Sequence, residues 1–281
     1  MRIGIGLPNT LPGIAGTTLV EWARRAEERG FAGLATIDRV AYPNHDSLTA
    51  LAAAAAATSR IGLFTNILLA PVYPAALLAK AAATVDQVSG GRLTLGLAPG
   101  GRPDDYAVTG RDFARRGRVF DESLAELHRI WAGEPRHSPT PVDGRSVPVM
   151  IGGGSDAAIR RTVRWGAGWT LGGGTPEQAA EFGARVRAAW REAGREGEPR
   201  IAALAYYSLG ADAEDASRAY LRDYYGFLGD YAEMIAGSAL RTPDAVRTAV
   251  RSFAEAGVTE LYLDATTPDL HQIDRLADLV M

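Results

Sequence analysis

The sequence predicts an α/β protein of the (β/α)8 or TIM-barrel type with loop insertions, and three observations carry that expectation. Short apolar segments alternate with amphipathic helical segments along the whole chain, eight strands with at least eight helices. One form of glycine stop recurs between helix and strand: Gly30-Phe31-Ala32-Gly33-Leu34, Gly90-Gly91-Arg92-Leu93, Gly166-Ala167-Gly168-Trp169 and Gly257-Val258-Thr259-Glu260-Leu261. Each reads as a helix C-cap feeding a strand. The 281 residues suit one such barrel, so residues 1–281 are expected to form a single domain. A doubly wound open sheet is the alternative. It calls for GxGxxG after the first strand, and Ile3-Gly4-Ile5-Gly6 runs into Leu7-Pro8 instead.

In order, Arg2 to Leu7 reads as strand and stops at Pro8-Asn9, and Leu19 to Arg29 carries a helical period ending at Gly30. Leu34 to Ile37 is the second strand and delivers Asp38 and Arg39. Ser47 to Ser59 is an alanine-rich helix able to lie close against a sheet. Ile61 to Leu69 is strand three; a helix from Pro74 to about Val88 leads through Gly90-Gly91 to strand four, Leu93 to Ala98. Arg115 to Trp131 is a long helix and Val147 to Ile151 strand five. Trp169 to Leu171, Arg200 to Ser208 and Glu260 to Asp264 are strands six to eight. Thr175-Pro176-Glu177-Gln178 and Thr242-Pro243-Asp244 carry helix N-terminal signals. Two stretches break the rhythm: 100–114, a polar loop, and 212–240, an insertion holding Tyr220, Tyr224, Tyr225, Phe227 and Tyr231. In a barrel both lie on the outgoing face, where the aromatic cluster either lines an apolar pocket or packs a small subdomain or interface.

The richest site signal is Val147 to Gly174, in which a buried strand empties into Gly152, Gly153 and Gly154 ahead of Ser155, a helix N-cap. Bare N–H groups beside a helix N-terminus suit a phosphate, and a flexible turn is the other reading. Composition narrows the chemistry. There is no cysteine, so thiolate, disulfide and iron–sulfur chemistry are excluded, and redox chemistry would need an organic cofactor. Lysine occurs only at Lys80, which disfavours a Schiff-base enzyme. His45, His128, His137 and His271 stand far apart in sequence, and no metal site is expected. A net charge of −3 gives no reason to expect nucleic acid, and no apolar stretch long enough for a membrane span is present. A cytoplasmic protein is expected.

The run Leu77-Leu78-Ala79-Lys80-Ala81-Ala82-Ala83-Thr84-Val85-Asp86, leading into Ser89-Gly90-Gly91-Arg92-Leu93-Thr94-Leu95-Gly96, resembles the third-helix and fourth-strand signature of bacterial-luciferase-like flavin- or F420-dependent oxidoreductases. Pro148-Val149-Met150-Ile151-Gly152-Gly153-Gly154-Ser155 resembles it as well. The resemblance covers essentially the whole chain and implies coenzyme F420 or FMN in the barrel mouth, its phosphate near Gly152, Gly153, Gly154 and Ser155. It also implies a non-prolyl cis peptide near Ile67-Leu68 under the ring, with Asp38, Asn66 and Ala98 at neighbouring strand ends. Asn66 and Asp38 read equally as caps or turn formers. Where many relatives have Asp-His this chain has Asp38-Arg39; the family's deazaflavin-dependent sugar-phosphate dehydrogenases use that histidine in catalysis together with an acid after strand four, which aligns with Gly101 here. Arg39, with Asp38, is then the candidate catalytic group, as a clamp for a carboxylate or carbonyl, or else a strand-end ion pair. The expected activity is hydride transfer to or from a small organic substrate, as an F420-dependent reductase or dehydrogenase or an FMN-dependent monooxygenase. A separate flavin or F420 reductase and a second copy of the chain are the protein partners kept open. A non-catalytic flavin-binding barrel and a phosphate-binding isomerase are the alternatives.

Overall fold

The computed structural model describes residues 1–134, 139–211 and 213–281; His137, and Asp212 at the start of the second insertion, lie outside the described residues. Eight strands close into a parallel barrel in chain order: β1 Arg2–Gly6, β2 Gly33–Thr36, β3 Gly62–Leu69, β4 Leu93–Ala98, β5 Val149–Gly152, β6 Gly168–Gly173, β7 Arg200–Tyr207 and β8 Glu260–Ala265. Pairing of Arg2 with Glu260 and of Ile5 with Leu263 shuts the ring.

The helices follow the sequence signals closely. α1 Gly16–Glu28, α2 Ser47–Ala57 and α3 Ala75–Ser89 cover the first strands, and α3 ends at Gly90, whose φ of 64° is the left-handed cap a glycine stop supplies. α4 Pro103–Val108 and α5 Arg116–Trp131 follow β4; α6 Asp156–Trp165 and α7 Pro176–Glu192 follow β5 and β6. Thr175 and Gln178 form the reciprocal capping box their spacing foretells. α8 Ala213–Tyr225 and α9 Tyr231–Ser238 fill the insertion, and α10 Pro243–Glu255 and α11 His271–Val280 complete the ring. No described helix is long and apolar enough to cross a membrane.

Most bounds differ from the sequence reading by a residue or two, and α1 begins three earlier, at Gly16; two further differences have a direct physical cause. Strand five starts two residues later, at Val149, because Pro148 has no N–H to give the ladder. The stretch 100–114 holds the short helix α4, started by Pro103 with Asp104 and Asp105 in its first turn, too brief to show a period.

Strand side chains alternate between two cores. Outward residues such as Ile5, Leu34, Leu63, Leu95, Ile151 and Trp169 join the helices in the main core. Inward, Ala35, Phe64, Met150, Ala202 and Tyr262 fill the barrel. The Tyr262 ring lies across Gly4, where an added Cβ would sit 2.3 Å from it, so the glycines of β1 make room for the plug. At the N-terminal end Glu260 takes Arg200 at 2.5 and 2.9 Å and Arg2 at 2.6 Å. Burial would raise the Glu260 carboxyl, but the two guanidiniums hold it below the usual range. With that end sealed, chemistry is confined to the C-terminal mouth.

Candidate active site

On the β3–β6 side the mouth is made of small residues. β4 approaches β3 through Gly96, whose N–H donates to Thr65 Oγ1 at 2.9 Å while that hydroxyl donates to the Gly96 carbonyl. The β3–β4 register slips between Thr65 and Leu68, and within the slip the Asn66–Ile67 peptide is cis, one bond before the expected position. A Cβ on Gly152 would stand 3.2 Å from both Ala98 Cβ and Ile67 Cδ1, so three of the expected residues meet at one spot. Leu68 goes elsewhere: its side chain is in the main core, paired in register with Leu97. Asn66 is buried, and its Oδ1 accepts from Thr170 Oγ1 at 2.7 Å across the barrel. Its Nδ2 is buried with no partner.

Beyond Gly152, Gly153 adopts φ 111°, and Gly153, Gly154 and Ser155 are exposed. The Gly153 carbonyl accepts the Trp169 indole N–H at 2.8 Å, and Ser155 Oγ accepts from Ala158 N as the cap of α6. The N–H groups of Gly153, Gly154 and Ser155 meet no acceptor among the described residues. An open row of donors at the start of a ten-residue helix is an anion cradle in shape and charge. The unpaired Asn66 Nδ2 calls for an acceptor at the strand ends beside it. Both features fit a phosphate-tailed ring with carbonyl groups, F420 or FMN alike.

On the β7–β8–β1–β2 side the mouth is walled by large side chains. Asp38 is buried and accepts from Leu69 N at 3.0 Å and from the Tyr73 hydroxyl at 3.0 and 3.1 Å. Burial, opposed by these bonds, pushes it up to about 6. Arg39 donates to Asp105 Oδ2 at 2.8 Å and Asp104 Oδ2 at 2.7 Å, and Asp105 also takes the Val40 and Ala41 N–H groups. The guanidinium is thus met by two carboxylates at the end of strand two. Arg102 donates to the Tyr224 carbonyl at 2.7 Å and lies 3.9 Å over the Phe227 ring. Three of the insertion's aromatic residues, Tyr220, Tyr224 and Tyr225, pack against the barrel, while Phe227 and Tyr231 are exposed; Tyr206 and Tyr225 share a hydroxyl bond of 2.8 Å, and Tyr220 bonds Thr10 at 2.7 Å. Leu204, Tyr206, Leu221 and Ala236 form their own core, with Ile37 and Tyr220 against it. A cavity of about 250 Å³ lies beyond the ends of β7 and β8, between Ser208, Gly210, Thr267, Gln272 and Arg275.

Four participants escaped the sequence reading. Thr170 and Asp105 meet Asn66 and Arg39 only through the fold, and Tyr73 was visible solely as a loop residue before a proline. Asp264 had a signal, an acid at the outgoing end of a barrel strand, and reads from sequence as no more than that strand's last residue.

A family model described as luciferase-like monooxygenase matches residues 1–280. An uncharacterized protein of Mycobacterium tuberculosis is 29% identical over 212 residues, which is 64% of this chain and 73% of that protein. The pyrimidine monooxygenase RutA of Escherichia coli is 30% identical over 205 residues, 64% of this chain and 54% of RutA, so the match spans about half of that relative. Among solved structures, the monooxygenase RslO1 of Streptomyces bottropensis superposes with a TM-score of 0.79 at 23% identity, covering 99% of this chain and 97% of that one. An F420-dependent secondary alcohol dehydrogenase reaches 0.80 at 19% identity, covering 100% and 98%. The oxygenating constituent of 3,6-diketocamphane monooxygenase from Pseudomonas putida, in complex with FMN, reaches 0.75 at 18%, covering 100% and 98%. At such identities the structural likeness speaks for the fold alone.

Proposed function

The chain belongs to the luciferase-like monooxygenase family, and from that premise we propose that it is an oxidoreductase moving a hydride to or from a small, mostly apolar organic substrate. Coenzyme F420 or FMN would be held in the barrel mouth. The observation that carries this reading is the buried, unpaired Asn66 Nδ2 on the same half of the mouth as the open N–H row of Gly153 to Ser155. The cofactor, when bound, supplies the hydride chemistry, and with FMN also oxygen activation.

The chain's own part is to bind and orient. Gly153, Gly154 and Ser155 hold the phosphate with backbone N–H groups and the α6 N-terminus; Gly152, Ala98 and Ile67 give the ring a flat, close floor. Asn66, fixed by Thr170, offers one donor to a ring acceptor. Asp38 acts by positioning, tying the end of β2 to Leu69 and Tyr73 below the ring, and Arg39 by anchoring α4 over the mouth through Asp104 and Asp105. Of two relatives by fold, one is an F420-dependent dehydrogenase and the other a monooxygenase constituent in complex with FMN, and either cofactor suits the donors here. A cytoplasmic location, a homodimer and a separate reductase for the cofactor belong to the same proposal.

Titrating the full chain with FMN and with F420 side by side, by absorbance and quenching of cofactor fluorescence, tests it. Saturable one-to-one binding of one of them, weakened in Asn66→Ala, is expected. Failure of both to bind sinks the reading.

A further inference from the structure

Among the buried polar groups left unpaired at the strand ends, beside Asn66 and the hydroxyls of Thr36 and Ser208, one is an acid. Asp264 stands at the outgoing end of β8, on the inward face with Glu260 and Tyr262, and is 5% exposed. Its carboxyl makes no hydrogen bond with any described residue, and its Oδ1 is sealed without a partner. An added Cβ on Gly6 would lie 2.4 Å from that oxygen, so β1 gives the carboxyl its space by having no side chain there.

The neighbours explain why this acid stays neutral. Tyr206 and Tyr207 on β7 and Tyr220 and Tyr225 on α8 are the titratable groups that feel its charge. The Tyr206 and Tyr225 hydroxyls are spent on each other, Tyr220 on Thr10 and Tyr207 on the Gln272 carbonyl. Along β8, Glu260 is paired with Arg200 and Arg2, and Tyr262 lies between it and Asp264. The cations at the mouth are engaged as well, Arg39 by two aspartates and Arg102 by the Tyr224 carbonyl and the Phe227 ring. Ionising a carboxyl with no donor and no cation costs several kcal/mol. Burial accordingly pushes Asp264 up to about 8.

The geometry points to Asp264 as the proton donor of this site, acting on the oxygen of a neutral carbonyl substrate held against the tyrosine wall. This rests on the oxidoreductase reading. In the reducing direction the carbonyl carbon takes a hydride from the reduced flavin or deazaflavin, which is thereby oxidised. The C=O π pair moves to oxygen, where an O–H bond forms as the Asp264 O–H bond breaks. The alcohol leaves, and the Asp264 carboxylate regains its proton from water. A carboxylate substrate is disfavoured at this spot, because no free guanidinium would receive it.

Infrared difference spectra of the full chain without cofactor, wild type minus Asp264→Asn, read the acid directly. A protonated-carboxyl C=O band at pH 7 that vanishes as pH rises through about 8 is expected. An ionised Asp264 at pH 7 overturns the assignment. In the reduced holoprotein, cyclohexanone serves as the probe ketone. Asp264→Asn is expected to lower kcat/KM about 100-fold and to erase the wild type's loss of rate above pH 8, with cofactor affinity unchanged. A variant that keeps both the rate and the pH limb, or a wild type that leaves cyclohexanone unreduced, also overturns it. Failure of the wild type to bind either cofactor sinks both readings, whereas cofactor binding with an ionised Asp264 sinks only this one.

Discussion

The two halves of the barrel mouth are built on opposite plans. From β3 to β6 the strand ends carry glycine, alanine and one asparagine, and their polar groups, Asn66 Nδ2 and the N–H groups after Gly152, are unpaired. From β7 round to β2 the ends carry tyrosines, two aspartates and an arginine; the tyrosines, Asp38 and Arg39 are paired within the protein, whereas Asp264 Oδ1 and the hydroxyls of Thr36, Ser208 and Thr267 are not. Unpaired buried groups are costly, so a fold keeps them where a ligand completes them. The first half, with small side chains and an open row of backbone donors, is a receptor, and the second, with large side chains bonded to one another, is a wall that has Asp264 as its one unpaired acid. Substitutions on the wall should be felt by the fold, and substitutions on the receptor by the ligand.

The largest test of that division is Asp105→Ala. It strands the buried Arg39 guanidinium without its buried counter-charge and opens the Val40 and Ala41 N–H groups. Removing one partner of a buried pair costs about 3–5 kcal/mol, and a matching fall in urea unfolding free energy is expected. Gly154→Ala is the control on the other half. A Cβ there meets nothing within 4 Å, so stability should stay within about 0.5 kcal/mol. Equal losses from the two would abolish the distinction between wall and receptor.

Next in size is Gly153→Val, which reverses the expected readout. Its φ of 111° is closed to a branched side chain, so the turn must re-form and the N–H row with it. Losing one or two charge-assisted hydrogen bonds, about 1.5–3 kcal/mol each, should weaken cofactor binding roughly 10- to 100-fold or more. The apoprotein should lose only about 1–3 kcal/mol of strain energy. Calorimetric titration beside thermal melts separates the two, and unchanged cofactor affinity would remove the glycines from the site.

The receptor was legible in the sequence and the wall was not, for a physical reason. Glycine stops, the Ser155 and Thr175 caps and the Gly152 to Gly154 run are local signals: one stretch of backbone states its own geometry. The wall is made of pairs far apart in sequence. Arg39 meets Asp105 across 66 residues and Thr10 meets Tyr220 across 210, and no periodicity encodes such distances. The insertion was visible as a break in rhythm, but whether its tyrosines line or pack depended on which hydroxyls find each other. Tyr206 finding Tyr225 and Tyr220 finding Thr10 decides for packing.

A pH titration of stability probes the wall's two acids. Asp38 rises on folding from 3.8 to about 6, so between those values the folded chain holds a proton that the unfolded chain has released. The native state then binds more protons, and stability falls as pH rises through that window, by about 2–3 kcal/mol from this group. Asp264 extends the fall toward pH 8. Asp38→Asn should flatten the lower limb and leave the upper one. A wild-type stability that climbs from pH 4 to pH 8 would contradict both burials.

Arg102→Ala should give the smallest effect, and it asks whether the wall is one body. Arg102 joins the β4–α4 loop to the insertion by one hydrogen bond to Tyr224 and by stacking on Phe227, contacts worth about 1–3 kcal/mol together. Tyr206, Leu221 and Ala236 hold the insertion to the barrel independently of it. The loss should therefore appear as local opening, with faster amide exchange across Gly226 to Ser238, while β7 and β5 keep their protection. Cofactor affinity should not move. A tenfold weaker cofactor in this variant would mean that Arg102 reaches across to the phosphate, joining the two halves that the present geometry keeps apart.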